Sequence, residues 1–181
     1  GVFQKVKAAV LARDPDDDTS VMVQMVLTAQ NHSGLEEFIE EVREWPISGV
    51  AFTFYVPRAN DDTGLAWDDL ADRDPVIDRL IAAKKKDPNL VKANVGTLEL
   101  MYSDRCLEYT GENGENCLMG STLPLYMGDG GRFERTFCCF GNDVDCSHCG
   151  GYVVFNSAYH KQIKGEGEYH HRSRYFSKPK P

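Results

Sequence analysis

Four of the six cysteines, Cys138, Cys139, Cys146 and Cys149, fall within twelve residues, and a fifth, Cys117, stands upstream of them. Cys146 and Cys149 form a C-x-x-C pair, the spacing at which two thiolates bind one metal around a tight turn. Asn142 and Asp143 suit such a turn, and Gly141 and Gly150 leave room for backbone to close on a cluster. With Cys117 and Cys138 the pattern becomes C-x20-C-x7-C-x2-C, a four-thiolate set suited to zinc or to an iron–sulfur cluster. Disulfides and buried unligated thiols are the competing readings of the same residues. Cys106 reads as a free thiol in a loop, and His148, inside the C-x-x-C bite, as exposed filler that could replace a thiolate.

The elements that must position these groups follow from periodicity. Phe3, Val6, Ala9 and Val10 recur at helical spacing, which predicts an amphipathic helix over 2–13, stopped by Asp14-Pro15. Residues 20–28, SVMVQMVLT, form a nearly unbroken apolar run, as expected of a parallel strand covered on both faces. Ser33 and Glu36 read as a capping box for a helix with Leu35, Phe38, Ile39 and Val42 on its buried face. A second buried strand is expected over 49–56, then a helix over 75–86 that opens on Pro75 and buries Val76, Ile77, Leu80 and Ile81. Strand, helix and strand make a βαβ unit. Two such strands neither close a barrel nor bury both edges, so the chain reads as the latter part of a larger α/β domain.

Beyond residue 88 the character changes. Residues 103–116 are polar and turn-rich, and 123–139 alternates about Asp129-Gly130-Gly131 as a hairpin flanked by Cys117 and Cys138. Tyr152–Phe155 is a short apolar run, and 164–181 is expected to be disordered. The division expected is 1–100 for the barrel part, 101–160 for a cysteine-rich module and 161–181 for a basic tail. That tail carries six Lys/Arg against two Glu, within a net charge of −8, so the body is acidic and nucleic acid is not an expected partner. The sequence lacks a membrane-length apolar run and a visible leader, from which reduced thiols and a cytoplasmic setting are expected.

This order of parts resembles the second half of a radical S-adenosylmethionine (radical SAM) protein. Phe3-Gln4-Lys5-Val6, the strand VMVQMVLTAQN, the Leu35–Val42 helix and GVAFTFYVP are similar to the fourth helix through sixth strand of that partial barrel. The region from Cys117 to Cys149 is similar to a SPASM/twitch extension, and the layout also resembles the C-terminal region of hopanoid-type radical SAM proteins; the likeness covers residues 1–155. The family's C-x-x-x-C-x-x-C and its glycine-rich early strand occur nowhere in the chain, and Gly130 and Gly131 stand further from Cys138 than the SPASM pattern has it.

The resemblance implies one auxiliary 4Fe-4S cluster on Cys117, Cys138, Cys146 and Cys149. Cys138 is preferred over its neighbour by likeness to a C-x-x-G form, with Cys139 left to packing. It further implies that S-adenosylmethionine meets the face formed by Asn31, Tyr55 and Arg58, where a turn or cap role for Asn31 is the alternative. The upstream half of the barrel would be the partner, the substrate stays unassigned, and this chain alone is expected to be inactive. Zinc in a purely structural module, or in a knuckle on another α/β enzyme, is the rival expectation.

Overall fold

The computed structural model describes residues 1–14, 18–119, 125–127, 133–135 and 143–163; the two three-residue segments and residues 162–163 are described by backbone alone. Helix α1 (Val2–Leu11) precedes strand β1 (Met22–Leu27), helix α2 (Leu35–Arg43), strand β2 (Gly49–Phe54) and helix α3 (Asp74–Lys86). β1 and β2 pair in parallel, in register from Met22 opposite Gly49 to Leu27 opposite Phe54. The expected βαβ unit is present in a mixed α/β fold. It forms because two short runs rich in Val and Phe flank a helix whose Leu35, Ile39 and Val42 are buried. α3 opens on Pro75 and buries Val76, Ile77, Leu80 and Ile81, as the periodicity predicts.

Three expectations are corrected here. Ser33 does not cap α2: it lies inside a 3-10 turn, His32–Gly34, and Gly34 takes the N-cap place without a side-chain bond. The Glu36 carboxylate turns instead to Arg79 on α3, whose Nε donates to it at 2.8 Å. β1 is not covered on both faces, since Met22 is 46% and Val26 45% exposed, while Val23 and Leu27 are buried. Along α1 only Val10 is buried, and Phe3 lies beside Trp45 with ring centroids 5.8 Å apart.

The far edge of β2, expected to be open, is occupied. Val50 N donates to Leu90 O and Lys92 N to Val50 O, each at 2.8 Å, in a parallel bridge between Val50 and Val91. Further along, Phe54 N donates to Gly150 O at 2.9 Å. Segments distant in sequence thus satisfy backbone groups that a third strand would otherwise take.

Two short helices follow, α4 (Val95–Glu99) and α5 (Cys106–Thr110), the second within the stretch 103–116 expected to be polar and turn-rich. β3 (Leu125–Met127) and β4 (Phe133–Arg135) pair antiparallel; the turn between them and Cys138 lie outside the described residues. Tyr152–Phe155 belongs to a helix, α6 (Tyr152–Ala158), and Tyr159–Ile163 continues it as a π-helical turn, so 161–163 is not tail. α6 buries Val154, Phe155 and Ala158, and is tied to α4 by Thr97 Oγ1, which donates to Asn156 Oδ1 at 3.2 Å, and at the α4 entry by Asn94 N, which donates to Tyr152 Oη at 2.8 Å. One apolar cluster runs from Val10 to Ala158 across the expected boundary near residue 100. Among the described residues no helix is long and apolar enough to cross a membrane.

Candidate functional site

In open parallel sheets, chemistry gathers beyond the carboxyl ends of the strands. The C-x-x-C turn lies there. Asp145 N donates to Pro57 O at 3.0 Å, just past β2, and Thr53 Oγ1 accepts from Tyr152 N at 3.1 Å. Gly150 makes this docking possible: a Cβ there would overlap the Tyr55 carbonyl oxygen and lie 2.5 Å from Phe54 Cβ. The room that Gly150 provides is therefore for the β2 backbone, not for a cluster; Gly141 is outside the described residues.

Asp145 builds the turn itself. Its Oδ1 accepts from Ser147 N at 3.0 Å and from His148 N at 3.3 Å, the geometry of an Asx-turn. Its Oδ2 meets His148 Nδ1 at 2.8 Å. Burial pushes this carboxyl up, but the hydrogen bonds from Ser147 and His148 outweigh it and hold Asp145 below the usual range. His148 is thus half-buried and oriented, not exposed filler. Of the turn residues expected, Asn142 lies outside the described residues; the turn that carries Cys146 and Cys149 is built by Asp145, an Asx residue directly before the first cysteine of the pair.

The described cysteines, Cys106, Cys117, Cys146 and Cys149, are thiols, with no disulfide among them. Cys149 N donates to Cys146 O at 3.3 Å, and Gly151 N donates to Cys149 Sγ at 3.5 Å, an arrangement that steadies a thiolate. Burial pushes the Cys146 thiol up, and Cys117, Asp145 and Glu115 push it further. Cys117 N bonds Gly114 O at 3.1 Å, and a Cβ on Gly114 would stand 3.0 Å from Cys146 Sγ. Cys106 is no loop thiol: it opens α5 and is buried, with Sγ 3.8 Å from Ser103 O.

Arg73, which sequence reasoning passed over, is the largest fully buried side chain among the described residues, 1% exposed. Its Nη2 donates to Met101 O at 2.7 Å and its Nη1 to Cys149 O at 3.1 Å, while Nε has no partner. The guanidinium lies 5.4 Å from the centroid of the Phe54 ring. Burial pushes its pKa down, opposed by Cys106, Cys149 and Asp74 nearby. No local pattern marks an arginine for burial, so only the tertiary structure could have found it.

Of the residues expected to meet S-adenosylmethionine, Asn31 is committed to backbone. Its Nδ2 donates to Val26 O and its Oδ1 accepts from Thr28 N, both at 2.9 Å. Tyr55 N donates to Leu27 O at 2.8 Å and its hydroxyl reaches Asp61 Oδ1 at 3.4 Å. Arg58 is exposed at the same end, beside an open groove lined by Ala59, Leu107, Asn113, Asp145 and Cys146. The sheet end therefore gathers Tyr55, Arg58 and the C-x-x-C turn into one region, and leaves the Asn31 side chain bonded to the end of β1.

Thiol donors, an N–H aimed at one sulfur and a buried cation with no carboxylate bonded to it are the chemistry of a thiolate metal centre. Of the four cysteines expected to hold such a centre, Cys117, Cys146 and Cys149 are among the described residues. No three His, Cys, Asp or Glu side chains among them are gathered closely enough to hold an ion, and Cys138 lies outside them. Comparison with protein-family models, with curated proteins and with solved structures finds no match.

Proposed function

We propose that this chain is the C-terminal part of a radical SAM barrel carrying a module for one auxiliary iron–sulfur cluster, with Cys117, Cys146 and Cys149 as ligands and Cys138 as the fourth. The observation that carries this reading is the docking of the C-x-x-C turn on the carboxyl end of β2, with Gly114, whose carbonyl accepts from Cys117 N, set against Cys146 Sγ. When bound, such a cluster supplies one-electron chemistry. The chain's own residues do the holding: Asp145 sets the turn, Gly151 N–H steadies the Cys149 sulfur, and Gly150 lets both approach β2. Tyr55 and Arg58 are the polar residues offered to S-adenosylmethionine at the same sheet end.

Anaerobic purification followed by metal analysis tests the cluster: a brown protein with about four irons per chain is expected. A colourless protein with one tightly held zinc would replace the reading with the structural zinc module, since four thiolates suit both. With dithionite and S-adenosylmethionine the isolated chain should make no 5′-deoxyadenosine, because four-thiolate ligation leaves no open iron. Production above background would overturn the assignment of an auxiliary role.

A further inference from the structure

We propose that Cys146 and Cys149 form a thiol–disulfide exchange site for a low-molecular-weight disulfide of the glutathione kind, with Cys146 as the attacking sulfur and Cys149 as the resolving one. The proposal concerns the chain with no metal on these sulfurs and does not rest on the cluster reading. The two residues bound a four-residue turn closed by Cys149 N, which donates to Cys146 O at 3.3 Å. Such a turn holds its end Cα atoms within about 7 Å, and a disulfide spans about 4.4–6.8 Å between them. Both ends of the turn are anchored. Ahead of Cys146, Asp145 N donates to Pro57 O at 3.0 Å. At the other end Cys149 O accepts from Arg73 Nη1 at 3.1 Å, and Gly150 O from Phe54 N at 2.9 Å. Two sulfurs held in this way react with each other far faster than with a second solute molecule.

Their surroundings set the order of attack. Cys146 lines the open groove with Ala59, Leu107 and Asn113, where a solute arrives first. Cys149 packs against the apolar core, and its Sγ accepts from Gly151 N at 3.5 Å at the start of α6. Cys117 is the competing partner: it too packs against the core, and Gly114, whose carbonyl it bonds, is set against Cys146 Sγ. It belongs to a separate segment, with no closed turn to fix its distance from Cys146. In the first step the Cys146 thiolate attacks one sulfur of the small disulfide, forming a mixed disulfide and releasing one small thiolate. In the second the Cys149 thiolate attacks Cys146 Sγ and expels the other. The chain gives up two electrons and two protons, and the small disulfide takes them and leaves as two thiols. A closed pair offers no thiolate to a metal, so oxidation here and metal binding exclude each other.

The test incubates the full chain with glutathione disulfide after anaerobic chelation, then alkylates and maps the cysteines by mass spectrometry, for wild type, Cys149→Ser and Cys146→Ser. Wild type should lose two thiols and yield a Cys146–Cys149 link. Cys149→Ser should accumulate glutathione on Cys146, with the second step removed. Cys146→Ser should take up glutathione on Cys149 about tenfold more slowly or worse. A wild-type link from Cys146 to any other cysteine, no loss of thiols, or equal rates in the two variants would overturn the proposal. So would uniform reaction of all six thiols, the behaviour of a chain whose fold no longer sets the pair apart.

Discussion

β1 and β2 are both six residues long, both apolar and paired with each other residue for residue, yet they live in different surroundings. β2 is enclosed: β1 lies on one edge, the Leu90–Lys92 segment and Gly150 on the other, and Val50, Phe52 and Phe54 are buried. β1 buries Val23 and Leu27 but shows Met22 and Val26 to solvent. An apolar run specifies that a strand can be covered; which faces and edges are covered depends on what the rest of the chain brings to them.

The sharpest way to break that contrast is truncation. Phe54→Ala removes a side chain, 2% exposed, that meets Trp67 edge-on and lies under Arg73, and should destabilise the fold by about 3–5 kcal/mol in a denaturant titration. Val26→Ala should change stability by no more than about 0.5 kcal/mol. A comparable loss in both would mean that the open face of β1 is covered in solution. Next in size is Gly150→Ala, whose methyl group must displace β2 backbone or the C-x-x-C turn; a loss of about 1–3 kcal/mol is expected. Faster hydrogen exchange at Phe54 N–H should accompany it, because that amide bonds Gly150 O.

On the β1 side, Asn31→Ala removes both bonds to Val26 O and Thr28 N and should cost about 1–2 kcal/mol. Asn31→Asp sharpens this, since it can still accept from Thr28 N but sets an oxygen against Val26 O; it should be no better than alanine above pH 6, about where a carboxylate is fully ionised.

The smallest effect belongs to the exposed pair between α2 and α3. The hydrogen bond from Arg79 holds the Glu36 carboxyl below its usual 4.5, so its contribution is present above that value and is lost as pH falls through the lowered folded-state value. Screening limits it to about 0.5 kcal/mol. Glu36→Gln should flatten the acid limb of the stability curve by that amount and leave neutral pH nearly unchanged.

Local pattern carried the core elements: Leu35, Ile39 and Val42 on α2, and Val76, Ile77, Leu80 and Ile81 on α3, are buried where helical spacing puts them. It failed where distant chain decides. Tyr152–Phe155 is too short an apolar run to distinguish helix from strand, and α6 is fixed by contacts such as Tyr152 with Asn94 and Asn156 with Thr97. Ser33 lost its capping role because the 3-10 turn holds it before the helix begins. At the candidate site, cysteine spacing pointed to Cys146 and Cys149, but neither the Asp145 turn nor Arg73 has a spacing of its own.

The Asn31 side chain has a consequence for what β1 can join. In β1 the carbonyls of Val21 and Leu27 point to β2, accepting from Ser48 N and Tyr55 N, so Val26 O and Thr28 N face the opposite edge. The Asn31 amide donates to one and accepts from the other, as a peptide group of an adjacent parallel strand would. It is a false rung at the end of the ladder. An added strand could climb past Met22 and Gln24 but would have to displace Asn31 to go further. Any strand that adds to this edge, an upstream barrel strand included, must therefore end short of Thr28 or displace Asn31.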